Sequence, residues 1–228
     1  MTPKAIIFDF DGVIADSEIV SARMFSEALT AAGLPTTLDE AVERYTGYHR
    51  ADNLIAIAAH WGERTPHDLA ERLNAHADAL FAVGLTPVPG ATEFIGSVSH
   101  LPLAIGSSSR TAYLNKHLAD FDLADAFGAH VYSGSEHVAR GKPHPDIYLH
   151  AAQALGVHPS ETVIIEDSPV GARAAVAAGA RVIGFTGGSH ARPSLTERLA
   201  AEGVEIVLPG YGHVAAHLGI GERLRTAM

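Results

Sequence analysis

The sequence predicts an α/β fold, a doubly wound parallel sheet with an inserted helical domain, and three observations predict it. Six short apolar runs rich in β-branched residues recur along the chain with helical patterns between them. Runs that lack strict alternation read as strands buried on both faces, and therefore parallel. Residues 15–82 contain no such run. Acidic residues stand directly after the first and fourth runs, at the strand ends where open parallel sheets bind ligands.

The first run is AIIF (5–8), and it leads into Asp9, Asp11 and Gly12. Two carboxylates one residue apart at the mouth of a buried strand repel each other, and a fold tolerates them when a cation or a reaction uses both. From residue 15 the pattern turns helical, as in SEIVSARMFSEALTAAG and DLAERLNAHADALFAVG, each closing on a glycine as a C-cap would. So long a stretch is no plain connection in a compact sheet domain. Residues 15–85 are therefore expected to form a helical domain, with 1–14 and 86–228 as the α/β core. The return passes through GLTPVPG (84–90), whose two prolines and two glycines read as a hinge. The alternative is a longer helical crossover within one domain.

The remaining strands are LPLAIG (101–106), AHVYS (129–133), TVIIE (162–166), RVIGF (181–185) and VEIVL (204–208). Ser107 and Ser108 open SSSR after the second of the six runs, ahead of a helical stretch at 110–119. Hydroxyls and free N–H groups at a helix start bind phosphate, although a serine there can equally be a simple N-cap. Lys142 lies in RGKPHPDIY (140–148), with Pro145 suited to start the next helix, and is one of three lysines against thirteen arginines. Such a lysine is either a compact point charge for phosphate or a solvated loop residue. Glu166 and Asp167 follow TVII and precede Ser168 as N-cap, Pro169 at the first helical position and Gly179 as terminator. Asp9, Ser107 and Glu166-Asp167 thus meet at one sheet edge, where Asp9 and Asp167 can hold a hard cation such as Mg²⁺.

Composition sets the outer limits. Sixteen Lys plus Arg against 26 Asp plus Glu give a net charge of -10, which repels nucleic acid and anionic membranes. The chain has no cysteine, so disulfides and thiolate metal sites are excluded. With no signal-peptide core after MTPK and no run near the ~20 apolar residues of a membrane span, a soluble cytoplasmic protein is expected. None of the fourteen histidines forms a metal pattern such as HExxH, and most are expected to be surface or satisfied polar residues.

At these residues the sequence resembles the haloacid dehalogenase-like superfamily, in particular its phosphatases with a small helical cap. DFDGVIADSE matches the first signature, with Val13 where many members have Thr; Ser107, Lys142 in GKPHPD and Glu166-Asp167 in EDSPVGARAAVAAG match the other three, in order. The resemblance covers nearly the whole chain and implies a Mg²⁺-dependent phosphomonoester hydrolase. It implies Asp9 as nucleophile, forming an aspartyl phosphate, and Asp11 as general acid and base. It also implies Mg²⁺ held by Asp9, the Asp11 carbonyl and Asp167 with Glu166 beside it, and phosphate held by Lys142, Ser107 and Ser108. The nearest branch is similar to β-phosphoglucomutase and sugar-phosphate phosphatases. Ser21 and Thr46 stand where the mutase carries a cap His and Lys, and Arg50 matches its cap Arg, so a phosphatase acting on a small sugar, polyol or sugar-acid phosphate is the expected activity, with the mutase as alternative. Residues 15–85 hold no lysine for Schiff-base phosphonate hydrolysis, and the second acid, Asp11, argues against dehalogenation. A receiver-type phospho-acceptor module shares the acid cluster but lacks the insert. The turn YTGYHRADN (45–53) is expected to project side chains toward the core when the cap closes, with Arg50 on the substrate's phosphate or its distal hydroxyls; the alternative is an ordinary helix-helix connection with exposed polar residues, and the chain's oligomeric state is not readable.

Overall fold

The computed structural model describes residues 3–48, 50–81 and 84–220, without the side chains of Arg50 and residues 77–81. Six strands are present among them: β1 (Ala5–Phe8), β2 (Leu103–Ser107), β3 (Val131–Ser133), β4 (Thr162–Glu166), β5 (Arg181–Phe185) and β6 (Ile206–Leu208). They form one sheet in the order β3-β2-β1-β4-β5-β6, with every neighbouring pair parallel. Three strands begin and end where the sequence places them. The second starts two residues later than expected: the carbonyl of Pro102 accepts from the Ile6 N–H (3.1 Å), but proline has no N–H to offer the ladder.

Strand β1 is fully buried because helices cover both faces. Ile6 and Phe8 point to one side, where Phe8 meets the rings of Phe94 and Phe127 edge-on at 6.2 and 5.8 Å. Those rings come from α5 (Ala91–Val98) and α7 (Ala124–Phe127), which share that side with α6 (Thr111–Asp120) and α11 (Tyr211–Leu218). Ile7 points the other way, into a layer formed by α8 (Asp146–Ala154) and α9 (Pro169–Ala177) that includes Tyr148, Ala151, Ala174 and Ala175. The unbroken apolar run AIIF is what such two-sided burial requires.

Between β1 and β2 lie α1 (Ser17–Ala31), α2 (Leu38–Tyr45), α3 (Arg50–Trp61) and α4 (Leu69–Phe81). They enclose an apolar cluster of their own, with Phe25, Leu29, Val42, Tyr45, Ile57 and Leu73 buried in it. The segment 34–37 between α1 and α2 is fixed by Thr37, which caps α2 reciprocally with Glu40. Entry to and exit from this helical unit run side by side. Ala15 bridges Pro87 antiparallel, the Asp16 N–H donates to the Thr86 carbonyl (2.9 Å), and the Val88 N–H to that of Ile14 (2.8 Å). The expected hinge is therefore a hydrogen-bonded pair of strand-like segments. Residues 82–83, at the close of the second helical pattern, lie outside the described residues. Among the described residues no helix is long and apolar enough to cross a membrane.

Candidate active site

The sheet order reverses beside β1, so the crevice at the carboxyl ends of β1 and β4 is its topological switch point. Asp9 stands there one residue beyond β1, its N–H bonded to the Ile165 carbonyl at 3.0 Å, which sets it level with Glu166 at the end of β4. Lys142 reaches in from the loop before α8 and donates to Asp9 Oδ1 (2.7 Å) and Glu166 Oε1 (2.6 Å). All three side chains are buried, so Lys142 is no solvated loop residue.

Glu166 has no acceptor capacity to spare. Its Oε1 also accepts from the Tyr148 hydroxyl (2.9 Å), and its Oε2 accepts from the Ser168 N–H and hydroxyl (2.9 and 3.0 Å). Ser168 in turn caps α9 through the Gly171 N–H, as expected. A β-carbon at Gly171 would fall 1.6 Å from Glu166 Oε1, so the helix can approach this carboxylate because the residue is glycine. The resemblance implies Glu166 at the metal; its four hydrogen bonds tie it to Lys142, Tyr148 and the start of α9. Asp9 keeps one oxygen without a donor among the described residues, and His190 Nε2 lies 3.1 Å from Asp167 Oδ2.

Three buried carboxylates face one ammonium. Burial pushes the Asp9 carboxyl well above the ordinary range, Lys142 opposes, and Glu166, Asp167 and Asp11 push it further. Asp167 is likewise raised well above its ordinary value, by burial and then by Glu166. Burial works against the Lys142 charge, but Asp9 and Glu166 outweigh it and hold the ammonium above its usual value. Oxygens of Asp9, Glu166 and Asp167 lie within 4.8 Å of one another. An all-oxygen, excess-negative cluster of this kind fits a hard divalent cation such as Mg²⁺.

Asp11 turns away from Lys142 into a ring of hydroxyls. Its Oδ1 accepts from Ser17 (2.7 Å) and Tyr113 (3.1 Å), and its Oδ2 from Ser109 (2.6 Å). Ser107 is buried and accepts the Ser109 N–H at 3.0 Å. The N-cap of α6 is Arg110, without a side-chain cap, so none of the three serines serves as one.

Above these groups lies a cavity of about 470 Å³. Asp9, Asp11, Ser107, Ser108, Lys142 and Asp167 line it from the sheet side. Glu18, Ser21, Gly47, Tyr48 and Asp52 line it from the inserted helices. Glu18 accepts the Gly47 N–H (3.2 Å), and burial, followed by the charges of Asp167 and Asp11, pushes its carboxyl up to about 8. The turn at Gly47 therefore does face the site. Arg50 heads α3 but its side chain, like His49, lies outside the described residues. Ser21 lines the cavity, whereas the Thr46 hydroxyl bonds back to the Val42 carbonyl (2.6 Å).

Sequence reasoning passed over Glu18, Tyr113, Tyr148 and His190. The first stands in ADSE directly after the paired acids and could have been read there. The two tyrosines carry no local signal. His190 is an exception among the histidines: it is buried, its Nε2 is 3.1 Å from Asp167 Oδ2, and burial holds its imidazole below the ordinary value.

Comparison with known proteins agrees with this geometry. A haloacid dehalogenase-like hydrolase family model matches residues 3–179. Hexitol phosphatase A of Escherichia coli K12 is 32% identical over 188 residues, covering 80% of this chain and 83% of that protein. Among solved structures, a haloacid dehalogenase-like protein of unknown function from Agrobacterium tumefaciens superposes with a TM-score of 0.87 at 36% identity, covering 95% of this chain and 97% of that one. A hydrolase of the same family from Deinococcus radiodurans, solved with bound phosphate and sodium, gives 0.84 at 34% identity, with 96% and 97% covered. The chain belongs to the haloacid dehalogenase-like hydrolases.

Proposed function

We propose that this protein is a Mg²⁺-dependent phosphatase that releases inorganic phosphate from a small phosphorylated sugar, polyol or sugar acid through an aspartyl-phosphate intermediate. The observation that carries the reading is Lys142 pinning Asp9 Oδ1 on the floor of the cavity, which leaves the other Asp9 oxygen free of donors among the described residues. That oxygen attacks phosphorus, the bond to the leaving oxygen breaks, and Asp11 supplies its proton. Asp11 then takes a proton from the water that attacks the aspartyl phosphate, which returns Asp9 to its carboxylate. The hydroxyls of Ser17, Ser109 and Tyr113 hold Asp11 ready for that exchange. Lys142 and the Ser107-Ser108 turn hold the phosphoryl oxygens, and Glu166 holds Lys142. Asp9, Asp167 and the Asp11 carbonyl would hold Mg²⁺, which when bound neutralises phosphate and carboxylate charge.

Residues 15–85 act as a cap over the 1–14 and 86–228 core, a division supported by their separate apolar cluster and by the paired entry and exit segments. Gly47, Tyr48 and Asp52 bring cap atoms to the cavity, and Arg50 contacts the substrate's phosphate or its distal hydroxyls. Ser21 at the cavity wall and the inward-bonded Thr46 hydroxyl favour hydrolysis over phosphosugar isomerisation. The likeness to hexitol phosphatase A favours a polyol or sugar phosphate.

The test is phosphate release from p-nitrophenyl phosphate and from a panel of hexose, hexitol and sugar-acid phosphates. Turnover is expected with Mg²⁺ and not in EDTA, and Asp9→Asn is expected to lose it while remaining folded, as a cooperative unfolding transition shows. An active, folded Asp9→Asn enzyme, or full activity in EDTA, would refute the mechanism.

A further inference from the structure

Helix α1 starts where the chain leaves the core, and its first turn is held from three sides. The Asp16 N–H donates to the Thr86 carbonyl (2.9 Å), and the Asp16 carboxylate accepts the N–H (2.9 Å) and the hydroxyl of Ser189. The Ser17 hydroxyl donates to Asp11 Oδ1 (2.7 Å). The turn is thus fixed against the acid that serves the leaving oxygen. Glu18 and Ser21, three residues apart and so on one face of the helix, both line the cavity.

Glu18 is aimed rather than loose. The Gly47 N–H donates to its Oε2 (3.2 Å), while its Oε1 has no donor among the described residues. The side chain is half-buried, and it stands close enough to Asp167 and Asp11 for their charges to push its carboxyl up. A carboxylate oxygen drawn partly out of water is costly unless something donates to it. A leaving group whose ester oxygen is protonated at Asp11 extends from there along the α1 wall, and the first carboxyl it meets is Glu18.

We propose that Glu18 is a specificity-determining residue: its Oε1 accepts a hydrogen bond from a substrate hydroxyl on the carbon next to the phosphate-bearing carbon. The inference rests on the phosphatase reading and on Asp11 as the acid within it, and it narrows the substrate class. An open-chain hexitol or sugar-acid phosphate offers such a hydroxyl. A pyranose 6-phosphate has its ring oxygen there instead, which donates nothing and leaves the carboxylate unpaired. Sites built around a substrate hydroxyl discriminate strongly against analogues that lack it.

The test compares kcat/KM for sorbitol 6-phosphate, glucose 6-phosphate and p-nitrophenyl phosphate on the full-length enzyme with Mg²⁺. The assay runs at pH 8.5, above the value of about 8 to which Glu18 is raised, so that its carboxylate only accepts. Wild type is expected to prefer sorbitol 6-phosphate to glucose 6-phosphate by about tenfold or more. Glu18→Ala should lose about 10–100-fold on sorbitol 6-phosphate, the equivalent of a hydrogen bond to a charged group. Its loss on p-nitrophenyl phosphate, which has no hydroxyl to donate, should be at least about tenfold smaller. Glu18→Gln keeps an oxygen for the Gly47 N–H and should fall between wild type and Glu18→Ala on sorbitol 6-phosphate. Unfolding transitions check that both variants are folded. Equal losses on sorbitol 6-phosphate and p-nitrophenyl phosphate would assign Glu18 to holding the Gly47 turn only, and so overturn the proposal. A folded variant with wild-type kcat/KM on sorbitol 6-phosphate overturns it too, as does a wild type that cleaves p-nitrophenyl phosphate without preferring the hexitol phosphate. If wild type releases phosphate from none of the three, it is the phosphatase reading that fails, and this inference falls with it.

Discussion

Lys142 is a single positive charge among Asp9, Glu166 and Asp167, and it makes their burial tolerable. Removing one partner of a buried ion pair leaves an uncompensated charge and costs about 3–5 kcal/mol. Lys142→Ala is therefore expected to lose that much stability at pH 7.5, besides its turnover. The deficit should shrink toward pH 5, because Asp9 and Asp167 have raised pKa values and take up protons in place of the missing cation. Urea unfolding of metal-free protein at both pH values measures it, and an equal deficit at both would show that charge is not what the variant lost. Asp9, Asp11, Lys142, Glu166 and Asp167 were legible in the sequence because charge at the end of an apolar strand, or in a Gly-Lys-Pro loop, is visible in one dimension. The detailed part of Glu166 was not. It depends on Tyr148 and Ser168 saturating its oxygens and on Gly171 letting α9 come close, which are facts of packing. His190 was hidden for the same reason, since it is buried against Asp167, 23 positions away in the chain.

At the scale of elements, three strands were readable to the residue and β2, β3 and β6 start two residues later than their apolar runs, while the insert was recognisable as a gap in the strand rhythm. The face on which the insert docks was not. Asp39 and Glu43 of α2 read as ordinary solvated helix acids, yet they meet the start of α10. Arg192 donates to Asp39 Oδ1 (3.1 and 2.8 Å), the Ser194 hydroxyl lies 2.9 Å from both Glu43 oxygens, and Arg198 donates to the Tyr48 hydroxyl (3.2 Å). These contacts are exposed, and an exposed ion pair contributes about 0.2–1 kcal/mol, screened by salt. A weak, polar latch suits the proposed cap if it opens between turnovers, where a large apolar interface would hold it shut. Arg192→Ala is expected to leave the unfolding midpoint nearly unchanged and to raise KM for a hexose or hexitol phosphate by no more than about fivefold, the equivalent of about 1 kcal/mol. Acetyl phosphate, too small to span the cavity, should be affected less. In 0.5 M salt, where the wild-type pair is itself screened, the two proteins should converge. A difference that persists undiminished at high salt would assign Arg192 a role other than this pair.

Across the whole molecule, the parallel sheet gathers the ends of β1, β2 and β4 at one edge and concentrates there Asp9, Asp11, Glu166 and Asp167 against the single charge of Lys142. The cost of that gathering appears in the titration of Asp9, Asp167 and Glu18, whose carboxyls are all pushed upward. An acid with a raised folded-state pKa keeps a proton that the unfolded chain has lost, so stability falls as pH rises from the unfolded value to the folded one. For Glu18 that window runs from 4.5 to about 8. His190 and His117, both lowered by burial, act in the opposite sense, but only as pH rises to 6.5, the ordinary value of the imidazole. Between pH 7 and 8 the histidines are therefore spent and the acid cluster governs. In EDTA the thermal midpoint is expected to fall across that interval, and Glu18→Gln should flatten the fall by removing one of the groups responsible. A cation bound by Asp9 and Asp167 answers the same imbalance. Mg²⁺ at about a hundred times its Kd stabilises the native state by about 2.7 kcal/mol, which is several degrees for a chain of this size. The Mg²⁺-induced rise should be larger at pH 8 than at pH 6, because fewer protons then have to be displaced from the ligands. A midpoint in EDTA that rises from pH 7 to 8, or a Mg²⁺ effect that is greater in acid, would show that these carboxylates do not carry the excess charge on which both the cation site and the chemistry depend.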